Sequence, residues 1–185
     1  MANLTDFIST VKRNGFNPGN RYEVLLSRTI PGSSLGSGAS TLLSQYAESV
    51  SLPGRSFSTS DIKFGTGFTQ KMPYNSIFDD VSVTWRMDEA MGIKDYFDRW
   101  QNIIHNKDSG YMGFYENYKS DMTISVLNKN NQQVYRCQLF DVYPLSVAAV
   151  ELSHGSVNEI VKLQVTFAYK TWSSFSGGGG QASVF

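Results

Sequence analysis

Two histidines, one cysteine and two adjacent carboxylate pairs are the residues of this 185-residue chain best suited to chemistry. His105 and His154 lack HExxH or mixed His/Cys spacing, so no zinc set is read from them. Cys137 stands alone inside a strand pattern and is expected to be a buried free thiol. Asp79-Asp80 and Asp88-Glu89 have the types for general acid and base work. Strand-end and helix-cap roles are nonetheless expected for them, since acidic residues at a helix start need no catalytic reason. The glycine groups Gly32…Gly36-Ser37-Gly38 and Gly65-Thr66-Gly67 lack the Lys-Ser/Thr of a phosphate loop and read as turns. A Ser/His/Asp hydrolase would need a nucleophile elbow, and none is expected. Tyr111, Phe114, Tyr115 and Tyr118 have the rings to stack bases, but without a basic surround packing or subunit contact is their expected role. No catalytic, metal or cofactor-binding residue is assigned, and the chain is expected not to be an enzyme.

The elements that would position these residues are mostly strands. Residues 80–86, 121–127, 133–140 and 159–170 read as strands, and 22–27 as a further one. Val81, Val83 and Trp85 alternate with Ser82, Thr84 and Arg86. Val161, Leu163, Val165, Phe167 and Tyr169 alternate with Lys162, Gln164, Thr166, Ala168 and Lys170. Residues 89–104 read as an amphipathic helix with Asp88 as N-cap, its stripe running from Ile93 through Tyr96, Phe97 and Trp100 to Ile103 and Ile104. Leu4, Phe7, Ile8 and Val11 predict a short helix over 3–12. Asn128–Asn131 is the expected turn of a hairpin, and Pro144 the expected end of its second strand. Residues 31–41 read as a Gly/Ser loop before a strand starting near Leu42, and 45–75 as an extended hairpin. The pattern predicts one mainly β domain over 1–172 with one flanking helix, an antiparallel sandwich or barrel, and a Gly-rich extension over 173–185.

Bulk properties restrict the partners. Lys+Arg and Asp+Glu each number 16, so the formal net charge is zero, unlike a protein built to grip a nucleic-acid backbone. No apolar run reaches the ~20 residues of a membrane span, and the N-terminus has no signal-peptide pattern, so the chain reads as cytosolic where it is made. The sequon at Asn3-Leu4-Thr5 accordingly carries no meaning. From the residues alone, a small β-rich hydrolase dependent on His105 or His154 and a monomeric ligand-binding β-sandwich remain rivals to an assembly part.

The order of these segments resembles the tail tube proteins of contractile-tailed, myovirus-type bacteriophages. The resemblance rests on Phe78-Asp79-Asp80-Val81-Ser82-Val83-Thr84-Trp85, Asp88-Glu89 and Phe97-Asp98-Arg99-Trp100-Gln101. It continues through Phe140-Asp141-Val142-Tyr143-Pro144, Asn158-Glu159-Ile160 and the run Val165–Trp172. Leu52-Pro53-Gly54-Arg55 and Lys71-Met72-Pro73-Tyr74 resemble the family's stacking hairpin. The resemblance implies a hexameric ring with a continuous inner β-barrel, with rings stacked into a tube. It implies a virion-tail subunit, made in the host bacterial cytoplasm, whose lumen conducts the genome when the sheath contracts. Implied partners are other copies of itself, a sheath protein outside, and a tape-measure protein and then double-stranded DNA in the lumen, without sequence-specific binding. Baseplate and tail terminator proteins are implied at the ends. A baseplate tube-initiator, or the tube protein of a related contractile injection system, is the alternative.

Under this resemblance the subunit-interface candidates are Leu35 in the Gly/Ser loop and Leu52, Pro53, Arg55, Phe57, Ile62, Phe64, Phe68, Met72 and Tyr74 in the hairpin. Phe175, Val184 and Phe185 in the extension complete them. Lys162, Gln164, Thr166 and Lys170 are the lumen-facing candidates.

Overall fold

Val81, Val83 and Trp85 are fully buried while Ser82 and Thr84 are half-exposed, so the period-2 pattern of this strand is realised as one core face and one wet face. The computed structural model describes residues 3–63, 65, 67–153, 155, 159–176 and 183–184. Expectations for Phe64, Thr66, His154, Asn158, Gly177–Gly180 and Phe185 lie outside the described residues. In chain order the elements begin with α1 (Leu4–Asn14), β1 (Tyr22–Leu26), a 3-10 turn at Gly36–Gly38 and α2 (Ala39–Tyr46). Next come β2 (Ala47–Val50), β3 (Arg55–Lys63), β4 (Thr69–Phe78), β5 (Val81–Arg86), α3 (Gly92–Ile104) and α4 (Tyr115–Tyr118). The chain closes with β6 (Ser120–Leu127), β7 (Gln133–Val147), β8 (Lys162–Ala168), β9 (Thr171–Ser176) and β10 (Ser183–Val184).

Two antiparallel sheets share β7. Its first half lies between β6 and β9, with β1 beyond β6 and β10 beyond β9; its second half pairs with β8, followed by β5 and β2. The pairs Tyr135↔Ser176, Phe140↔Thr171 and Tyr143↔Ala168 keep one register, so β7 and the β8–β9 segment form a single bent ribbon. The bend is at Asp141, which adopts a left-handed φ of 54° that Asp tolerates better than most residues. The backbone N–H of Lys170 donates to Phe140 O at 3.1 Å, and Asp141 N–H donates to Asp121 Oδ1 at 3.3 Å. The Asp141 carboxylate lies 3.2 Å from Lys119 Nζ and 3.9 Å from Lys170 Nζ. A strand that switches sheets at a bend is how two inner faces are brought over one core.

That core holds Val24 and Leu26 of β1, Met122 and Ile124 of β6, Cys137 and Leu139 of β7, and Leu163, Val165 and Phe167 of β8. Helix α3 closes it with Ile93, Tyr96, Phe97 and Trp100. Its rings continue the aromatic packing of the sheet: Trp85 to Phe97 is 4.8 Å between centroids, and Phe97 to Phe167 is 5.9 Å.

The structure corrects several expectations. The segment near Leu42 is helix and not strand: Ala39 and Leu43, one turn apart, are buried together, and the 3-10 turn of the Gly/Ser segment leads directly into α2. Helix α3 begins at Gly92, not at Glu89, because Asp88 O accepts the Met91 N–H in a turn. Asp88 still caps the helix, its carboxylate accepting the N–H groups of Gly92 (3.0 Å) and Ile93 (3.2 Å). Pro144 does not end its strand; β7 runs on to Val147, where its far side has no partner strand among the described residues and a missing N–H is tolerated. Residues 173–176 belong to β9 and not to a linker, and Ser173 is buried. Within the aromatic segment 111–118, Tyr115–Tyr118 is a short helix. The arm predicted over 45–75 is divided: β2 joins β5, and the free hairpin is β3–β4.

Candidate assembly surfaces

Strands β3 and β4 pair from Arg55↔Phe78 to Lys63↔Thr69 and contact each other far more than the body. No described residue of either strand is buried, so the hairpin lacks a core of its own. An isolated two-stranded hairpin is marginally stable in water. Its apolar side chains are open to solvent: Phe68 is 96% exposed and Tyr74 73%, with Phe57, Ile62, Met72 and Ile77 also exposed. The ladder pairs Thr59 with Pro73 and Ser58 with Asn75, leaving Tyr74 as the extra residue of a bulge. The Arg55 guanidinium lies 4.9 Å over the Phe57 ring. Leu52 is exposed and Pro53 half-buried at the root of the arm.

The remaining interface candidates sit elsewhere. Leu35 is half-buried against the core. Phe175 is half-buried in β9, with the Arg136 guanidinium 5.8 Å over its ring. Val184 pairs through its backbone with Ser173. Two exposed apolar groups lie outside the named interface candidates. Leu4, Phe7 and Ile8 line one open face of α1, and Tyr111, Met112 and Phe114 follow α3. The helical spacing of the first group was the available signal; nothing in it told a free face from a packed one.

The second surface is the wet face of the β5–β8 pair. Ser82 lies opposite Thr166, Thr84 opposite Gln164 and Arg86 opposite Lys162. Lys162 and Gln164 are exposed, Thr166 is half-buried, and Lys170 stands apart at the Asp141 bend. Glu48 of β2 reaches both cations at one end of the face: its Oε1 is 2.6 Å from Lys162 Nζ, and its Oε2 is 3.7 Å from Arg86 Nε. The hydrogen bond from Lys162 chiefly, aided by the charges of Lys162 and Arg86, holds the Glu48 carboxyl below its ordinary range. Among the described residues both edges of this sheet are open: strand β2 pairs only with β5, and the β7 segment beyond Val142 pairs only with β8. Open edges on a folded chain are templates for another chain.

Nucleophiles and metal ligands are not gathered in the same way. Among the described residues no group of three His, Cys, Asp or Glu side chains is placed to hold a metal, and no helix is long and apolar enough to cross a membrane. Cys137 is buried, and burial pushes its thiol up to about 12. Contrary to expectation, Gly32-Ser33-Ser34-Leu35-Gly36 does spell G-x-S-x-G. It lies in the turns after β1, not on a strand-to-helix elbow. Ser34 sits by Gly92 at the start of α3, whereas His105 caps its far end, ~20 Å away by the helical rise.

Comparison with known proteins agrees with this geometry. The family model described as phage tail tube protein matches residues 18–174. Over 93 residues, 50% of this chain, the sequence is 29% identical to the baseplate tail-tube junction protein gp54 of Enterobacteria phage T4. The matched region spans 28% of that protein's length. Among solved structures, the chain superposes on the sheath-tube complex of an extracellular contractile injection system, PVC, in its extended state. The TM-score is 0.62 at 20% identity, covering 91% of this chain and 97% of the other. The tube-terminating cap of the anti-feeding prophage superposes with a TM-score of 0.64 at 20% identity, covering 88% and 92%. At these identities the two structures show a shared fold.

Proposed function

This chain belongs to the phage tail tube protein family, and we propose that it is a structural subunit that closes into hexameric rings and stacks them into a hollow tube. The carrying observation is that one sheet has a polar, half-wet face and, among the described residues, two unpaired edges, β2 and the end of β7. Pairing the β2 edge of one copy with the β7 edge of the next extends that sheet around a ring and removes both edges. The polar face of Ser82, Thr84, Gln164 and Thr166 then lines a wet lumen through which a tape-measure protein and afterwards double-stranded DNA pass. The β3–β4 hairpin, with Phe57, Phe68 and Tyr74, reaches to the adjoining ring, where its apolar side chains find the core they lack alone. Sheath protein surrounds the tube, and baseplate and terminator proteins meet its ends. The role is geometric and needs no catalytic residue; the subunit is made in the host cytoplasm and resides in the virion tail.

The likeness to a baseplate tail-tube junction protein favours a second reading, in which the chain forms the first ring and not the polymer. Electron microscopy of the concentrated protein, with sedimentation, separates the two. Hollow tubes of uniform width and open length support the polymer, whereas single rings or short stacks of fixed height support the junction. A protein that stays monomeric at every concentration, even with its baseplate partners present, overturns both.

A further inference from the structure

Arg86 and Lys162 are directly opposite on the wet face of β5 and β8. Like charges so placed repel one another, and on a face turned toward DNA they would also hold its phosphates. The irregularity of β2 between Ala47 and Ser49 falls at Glu48, the residue whose carboxylate engages both cations. Glu151 and Glu159 line the same hollow, yet neither forms an ion pair with Arg86 or Lys162 among the described residues. The rest of the face is hydroxyl and amide.

We infer that Glu48 is an electrostatic mask: it engages both strand cations and offsets one of their two charges, so that the wall grips a phosphate backbone less. This rests on the reading of that face as the lumen. Unmasking offers up to two phosphate contacts per copy, and each contact adds a slope of about −0.9 to the dependence of log affinity on log salt. Two contacts therefore correspond to roughly tenfold weaker binding between 50 and 200 mM salt.

The test measures retention of linear double-stranded DNA by the full chain at low salt, for wild type, Glu48→Gln, Glu151→Gln and the double variant E48Q/K162Q. Glu48→Gln is expected to bind up to about tenfold more tightly than wild type at 50 mM salt and to lose that gain by 200 mM. Glu151→Gln should stay near wild type, and E48Q/K162Q, which still leaves Arg86 free, should gain no more than about threefold. The double variant also removes the exposed like-charge pair, so it separates unmasking from misfolding. No gain in Glu48→Gln, or an equal gain in Glu151→Gln, overturns the mask. Microscopy of the same preparations, alone and with baseplate partners, reads the lumen assignment separately: absence of rings in both overturns that assignment whatever the DNA result.

Discussion

The indole N–H of Trp85 donates to the main-chain carbonyl of Leu43 across 2.8 Å, inside the core. Leu43 lies in the last turn of α2, where carbonyls have no partner within the helix, so the sheet supplies the bond the helix lacks. Replacing Trp85 with Phe removes the donor and leaves a buried acceptor unpaired, which costs about 1–3 kcal/mol. Denaturant unfolding of Trp85→Phe should show a loss of that size; an unchanged midpoint would mean another donor reaches Leu43.

A Cβ on Gly113 would stand 2.4 Å from Ile103 O, a backbone atom that cannot swing aside. The Gly113 N–H also donates to Ile104 O at 2.8 Å, holding the segment after α3 tight against the helix end. Gly113→Ala is therefore expected to cost about 1–3 kcal/mol, as overpacking does, read from the thermal midpoint. Gly19→Ala meets nothing within 4 Å and is the neutral control.

Asp88 and Glu89 are adjacent carboxylates with unequal roles. Asp88 accepts two N–H groups of the first helical turn, while Glu89 is exposed in the turn before it. Asp88→Ala should lose about 1 kcal/mol of stability, and Glu89→Ala should stay within about 0.5 kcal/mol. Equal losses would mean that the effect is general attraction to the helix dipole and not capping.

Where burial falls on one face of a regular element, the pattern was readable. The alternation at Val81–Trp85 and Leu163–Phe167 and the stripe from Ile93 to Trp100 were visible because each faces a single core. Helix α2 was not readable. Its Ser and Thr residues have little helix preference, and what decides it is the burial of Ala39 and Leu43 and the bond from Trp85. Strand β9 was hidden because Trp172-Ser173-Ser174-Phe175 does not alternate; its ladder to β7 makes it a strand. The hairpin was visible in its turn residues but misplaced, since Pro53-Gly54 lies at its root and not within it. The contact of Glu48 with Lys162 joins residues far apart in sequence, and no local pattern encodes it.

Cys137 and Tyr169 make stability fall in alkali. Burial pushes each up to about 12 in the folded chain, from ordinary values of about 9 and 10. As pH rises through these ordinary values the unfolded chain releases protons that the folded chain keeps, so the unfolded state gains and stability declines until about pH 12. Unfolding measured between pH 8 and 11 should show this decline, and Cys137→Ala should flatten its earlier part. A wild-type profile parallel to that of Cys137→Ala would remove the thiol from the account.

Phe57 and Tyr74 are exposed on a hairpin that has no core. Their replacement by Ser removes no buried contact within the subunit, so the unfolding free energy should change by less than about 0.5 kcal/mol. Assembly should respond differently, because aromatic side chains that become buried at an interface carry much of its energy, about 2 kcal/mol or more each at the strongest positions. Such a loss raises the concentration needed for polymer about thirtyfold per residue, since 1.4 kcal/mol is a factor of ten. Sedimentation of Phe57→Ser and Tyr74→Ser across a concentration series reads this shift. A stable subunit with a raised threshold places the hairpin between rings, whereas an unchanged threshold moves the ring-to-ring contact to the open face of α1, where Leu4, Phe7 and Ile8 are next to be replaced.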